Sequence, residues 1–154
     1  MDAASCAVAQ SRRNAAIMAL MPDEKKLQFD DLMALATASA AVTRACACAI
    51  DSCGEWARIP PSFPAQQMRT VGTLVDDPYV EATHAEYHPA GTHYWSADAP
   101  IAWRHYPFNR CSVLACSVCG RCCLTYVEAG GYYVEPRMRA LDPRLLVDPP
   151  GELK

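Results

Sequence analysis

Charge is scarce in this chain, glycine is scarcer, and no long, strongly apolar run is present. Only 20% of the 154 residues are charged and the formal net charge is −3. That balance excludes the basic footprint of a nucleic-acid or anionic-membrane binder. The seven glycines form no phosphate-cradling loop, and no Ser/His/Asp spacing singles out a nucleophile. The greasiest stretch, Leu32 to Ile50, is rich in alanine and contains Arg44, too weak a pattern for a membrane span. The start, Met1-Asp2 with Arg12-Arg13 interrupting the first apolar stretch, does not read as a secretory signal. No repeat, low-complexity linker or charged tail divides the chain. Residues 111–154 hold as many acidic as basic side chains, so their arginines read as a solvated face.

What the chain does have is an apolar majority, 51% of residues, and nine cysteines with four histidines. About 150 residues bury roughly two-thirds of the surface an unfolded chain exposes. Disorder and a disulfide-only miniature scaffold are therefore excluded. Nine is odd, so a fully paired secreted monomer is excluded too. The expectation is a cytoplasmic protein with reduced thiols free to bind metal.

The pattern predicts one α+β domain over residues 1–154. Residues 1–53 are expected to be helical, an antiparallel hairpin of a helix over about 3–20 and a second one starting at Pro22-Asp23-Glu24. Phe29, Leu32, Met33, Ala36 and Ala40 carry its helical spacing. Cys6, Cys46, Cys48 and Cys53 lie in this region and read as small core residues. Residues 54–110 contain seven prolines, most of the aromatic residues and all four histidines, but no cysteine. They predict an irregular β region with short strands near 71–75, 93–96 and 102–106. Residues 111–154 hold the other five cysteines. There, Cys122 to Val127 predicts one arm of a hairpin, Gly130-Gly131 its turn and Tyr132 to Val134 the other arm. Pro136 is expected to open a short helix through Arg137, Met138 and Leu141.

The strongest chemical signal is Cys116-Ser-Val-Cys119-Gly120. Two cysteines three apart can aim both sulfurs at one ion, and the glycine permits a left-handed turn. Followed by a hairpin, this segment resembles the zinc knuckle of zinc-ribbon proteins over residues 111–134. The second Cys-x-x-Cys of that family is absent from the opposite hairpin. A tetrahedral zinc site needs four ligands. The expected set is Cys111, Cys116, Cys119 and His88, with His105 and His84 as alternatives for the fourth. Cys122 and Cys123 fall on opposite strand faces, so at most one could turn toward the ion.

Two other resemblances remain open. Cys111-x4-Cys116-x2-Cys119 matches the opening spacing of plant-type [2Fe–2S] ferredoxins, which implies an iron–sulfur electron carrier. His84-Ala85-Glu86 followed by Cys116-x-x-Cys119 resembles the zinc-dependent nucleoside and nucleobase deaminases. That resemblance implies His84, Cys116 and Cys119 as zinc ligands and Glu86 as the general acid/base. Ala115 stands where that family has proline, and Pro89 and Gly91 break the helix it places at His-Ala-Glu. The leading expectation is therefore a non-catalytic interaction or regulatory module with a structural zinc ion and a protein partner.

Overall fold

A computed structural model describes residues 24–150. The expected helix over 3–20, and with it the helical hairpin, lies outside those residues. The chain enters with Lys25 to Leu27 extended, not helical: Thr73 N–H donates to Lys25 O and Leu27 N–H to Thr73 O, at 2.9 and 3.0 Å. Helix α1 follows over Phe29–Ala40. Its first turn carries Asp30 and Asp31, well placed against the positive helix end. The Asp31 carboxylate also accepts the Gln28 N–H at 2.8 Å, satisfying a donor that the helix cannot. Leu32, Ala36 and Ser39 are the buried face, as their spacing of three and four requires. Beyond Ala40 the expected helical region becomes turns, with a short 3-10 turn at Ile50–Ser52.

Seven strands follow: β1 Ala57–Arg58, β2 Met68–Thr73, β3 Ile101–Ala102, β4 Ser112–Cys116, β5 Cys122–Ala129, β6 Val134–Ala140 and β7 Leu146–Val147. Five of them form one sheet in the order β1-β6-β5-β4-β2, with antiparallel neighbours throughout. Strands β3 and β7 make a separate parallel pair. The expected 93–96 strand is a turn closed by Ser96 N–H on His93 O, and 102–106 keeps only Ala102 in a strand.

The expected helix after Pro136 is instead strand β6, paired with β5 from Ala140 to Val134. Pairing along the whole of β5 outweighs a local helix signal only a few residues long. Proline is tolerated there because Pro136 O points toward β1, accepting the Ile59 N–H at 3.4 Å. Its missing N–H therefore also faces the β1 side, just past the two residues that β1 pairs.

Alternation along the strands gives the sheet two buried faces. Val113, Ala115, Cys122, Leu124 and Tyr126 face α1 and the aromatic middle region, where Trp56 stacks on Tyr94 and meets Tyr126 edge-on. Cys116, Cys123 and Met138 face the other way, under Cys48, Ile50 and the segment that leads to Phe63. Cys122 and Cys123 do lie on opposite faces.

Candidate metal centre

Strand β4 ends at Cys116, and the chain turns back into β5 through Ser117 to Arg121. Gly120 N–H donates to Cys116 O and Cys116 N–H to Arg121 O, both at 2.8 Å. Gly120 makes this turn with φ +88°, a left-handed conformation that costs other residues a β-carbon clash. The turn aims the Arg121 N–H at Cys119 Sγ, 3.5 Å away. Ser117 N–H is held by Gln67 O at 2.8 Å, which fixes the tip to the start of β2.

A second cysteine-bearing turn comes from the far side of the sequence. The buried Ser39 hydroxyl accepts the Cys122 N–H at 2.9 Å, docking the end of α1 onto the first residue of β5. The chain leaving α1 therefore passes directly beside the β4–β5 turn. Arg121 is buried there and donates to Val42 O at 3.3 Å, with Asp51 at 3.9 Å. Along this segment lie Cys46 and Cys48, followed by Ala49 at φ +54°. The turn resembles the first in its order: a cysteine, then a left-handed residue.

The two turns bring four thiols together. The sulfurs of Cys46, Cys48, Cys116 and Cys119 all lie within 4.8 Å of one another. Cys48 and Cys119 are 3.6 Å apart, and Cys46 and Cys116 are 3.8 Å apart. Four sulfurs bound tetrahedrally at about 2.3 Å from one zinc stand about 3.8 Å from each other. These separations are far beyond the S–S bond of a disulfide, about 2.05 Å, and all eight cysteines of the described residues are free. Three of the four are buried and Cys46 is half-buried.

The electrostatics fit ligands waiting for a cation. Burial opposes ionisation of Cys119. The Arg121 N–H and the thiols of Cys48, Cys116 and Cys46 outweigh it and bring the Cys119 pKa down to about 7. Cys48 goes the other way, to about 12, through burial and its thiol neighbours despite the Ile50 N–H. Hydrogen bonding thus favours the Cys119 thiolate, while burial holds the Cys48 thiol protonated. A divalent cation reverses that balance by favouring all four thiolates, with release of protons.

The grouping differs from the expected ligand set. Cys116 and Cys119 are in the tetrad, with Cys46 and Cys48, which read from sequence as core residues. Cys111 is fully buried on the opposite face, its thiol on Pro107 O at 3.4 Å: it is the extended residue just before β4 and has the parity of Val113 and Ala115. His88 is spent within its own loop, between Thr92 Oγ1 at 2.8 Å and Glu86 Oε1 at 3.0 Å. His84 stacks on Tyr106 and takes a contact from Arg110 Nη2 at 3.1 Å. His105 packs beside Tyr87, and burial pushes its pKa down. Among the described residues, no other group of three or more His, Cys, Asp or Glu side chains gathers ligand atoms this closely. The overlooked signal was Cys46-Ala47-Cys48, a second close cysteine pair lying just past the last residue with helical spacing.

Of the remaining thiols, Cys123 is fully buried and held at about 12 by burial and neighbouring cysteines. Cys53 is half-buried, with its thiol on Ala49 O at 3.6 Å. Comparisons with protein-family models, curated proteins and solved structures found no match for this chain.

Proposed function

We propose that Cys46, Cys48, Cys116 and Cys119 hold a single structural zinc ion in a non-catalytic module that serves interaction or regulation. The observation that carries this reading is the tetrad itself: four sulfurs from two segments about 70 residues apart, two pairs of them at 3.6 and 3.8 Å and all within 4.8 Å of one another. Four protein ligands close a zinc site, whereas a catalytic zinc keeps a position open for water. That favours structure over a zinc-activated water. The deaminase-like alternative loses its constellation, since His84 and Glu86 are engaged around Arg110 and His88. The mutual spacing also favours one ion over an iron–sulfur cluster, whose thiolates bind different irons and stand farther apart. A single Fe ion fits the same four sulfurs and would colour the protein.

The ion would close the chain between the α1–β1 connection and the β4–β5 turn, holding the second apolar face of the sheet under its cover. In a reducing compartment such as the cytoplasm, free thiols persist and this closure substitutes for a disulfide. No helix among the described residues is long and apolar enough to cross a membrane. A protein partner is the expected target, and Tyr132, Tyr133 and Val134 at the β5–β6 tip are exposed apolar groups available to one.

The test is elemental analysis of protein purified without added metal. One zinc per chain is expected in the wild type and in a Cys111→Ser, His88→Ala double variant. Zinc should be lost from both Cys46→Ser/Cys48→Ser and Cys116→Ser/Cys119→Ser. Full retention by Cys46→Ser/Cys48→Ser refutes the ligand set, and stoichiometric iron in its place refutes zinc.

A further inference from the structure

The two sulfur pairs of the tetrad in hydrogen-bonding contact both cross between segments. Cys48 reaches Cys119 at 3.6 Å and Cys46 reaches Cys116 at 3.8 Å, while the remaining separations extend to 4.8 Å at most. We propose that the tetrad is also a site of oxidative modification, at which hydrogen peroxide forms the cross-segment disulfides Cys48–Cys119 and Cys46–Cys116 and so expels the ion. Expulsion rests on the metal reading above; the pairing of the disulfides rests on the sulfur positions alone.

The chemistry balances. One thiolate sulfur attacks a peroxide oxygen and the O–O bond breaks, leaving a sulfenic acid and, after protonation, one water. The facing sulfur then attacks the sulfenic sulfur, the S–S bond forms, and the oxygen leaves as a second water. Each disulfide thus gives two electrons to one peroxide, and thiolates released from the ion draw two protons from solvent. A full conversion consumes two peroxides and yields four waters. After the first disulfide only two thiolates remain, which is half of the ligand set a structural zinc requires.

Geometry favours the crossed pairing. The facing pairs must close by about 1.6 and 1.8 Å to reach bonding distance. The segment carrying Cys46 and Cys48 is irregular between α1 and the 3-10 turn, so it can shift by that amount. The β4–β5 turn is tied by its own backbone bonds and by Gln67. The crossed bonds also join the same two segments that the ion joins. Oxidation would therefore discharge the metal while keeping the chain closed at the same place. A Cys116–Cys119 disulfide, within one turn, would discharge the ion and leave the segments unlinked.

The experiment treats the metal-loaded wild type with hydrogen peroxide in the presence of a chromogenic chelator, then maps trypsin peptides without reduction. Trypsin leaves Cys46, Cys48 and Cys53 on residues 45–58 and Cys111, Cys116 and Cys119 on residues 111–121. The expected product is 45–58 covalently joined to 111–121, with fragmentation placing the bonds at 48–119 and 46–116. Metal release should rise in step with that product, and dithiothreitol should restore binding. A dominant Cys116–Cys119 link, links through Cys53 or Cys111, or release accompanied only by sulfinic acid overturns the proposal. Protein that carries no metal before treatment refutes the metal reading, and the same peptide map still judges the pairing.

Discussion

Gly120 and Ala49 occupy matching places in the two cysteine turns, and substituting each should move stability in opposite directions. Each follows a tetrad cysteine and each is left-handed, at φ +88° and +54°. In Gly120→Ala the new methyl would meet nothing nearer than Val42 Cγ2 at 4.0 Å, an ordinary contact. The cost is therefore conformational, about 1–2 kcal/mol for a left-handed alanine. A stiffer unfolded chain returns about 0.4–1 kcal/mol of it. The expected net effect is a loss of about 1 kcal/mol. Ala49→Gly runs the same sum backwards and should gain about 0.5–1 kcal/mol. Urea unfolding with saturating zinc reads both through the shift in midpoint at constant slope. In melting temperature the two should separate by several degrees, at roughly 2–4 °C per kcal/mol for a chain of this size. A destabilised Ala49→Gly, or a neutral Gly120→Ala, would refute the claim that both turns are under the same backbone constraint.

Three further outcomes follow from the packing of the fold. Gly72→Ala should destabilise by about 2 kcal/mol or more, because its β-carbon would lie 2.5 Å from Lys25 O and 2.7 Å from Leu27 Cγ; a chemical denaturation curve within 0.5 kcal/mol of wild type would show that the 25–27 segment yields. Ser39→Ala leaves the buried Cys122 N–H without its acceptor and should cost about 1–3 kcal/mol, while elemental analysis still finds the ion; loss of metal at unchanged stability contradicts the docking role given to α1. Glu128 is opposed by burial, yet the Tyr106 and Tyr126 hydroxyls and Arg137 hold its pKa below the usual carboxylate value. Its contribution is present above the unfolded value, near 4.3, and is lost as pH falls through the lower folded value; Glu128→Gln should flatten that acid limb of a stability-versus-pH profile, and an unchanged limb excludes Glu128 as its source.

Legibility in the sequence followed the range of the interactions. Cys116-x-x-Cys119-Gly120 was readable because its chemistry is complete within five residues: two sulfurs, a turn and the glycine that permits it. The first arm of the β5–β6 hairpin was readable from strand pattern, whereas the second arm was expected at Tyr132 to Val134 and runs over Val134–Ala140 instead; the opposed directions of Cys122 and Cys123 followed from strand alternation. Pro136 misled because proline at a helix start is a sound local signal, whereas what placed it in β6 was the register with β5, from Ala129 opposite Val134 to Cys123 opposite Ala140.

Cys46 and Cys48 show the limit most clearly. In an alanine-rich stretch they are locally indistinguishable from buried core thiols such as Cys111. Their role depends on Ser39 reaching Cys122 across 83 positions and on Arg121 reaching Val42 across 79. The sequence by itself therefore determined one half of a four-thiol site, the turn whose residues are neighbours in the chain. Tertiary structure decided the other half, because a tetrahedral ion takes its ligands by distance in space, and only the docking of α1 on β5 puts the second cysteine turn within reach of the first.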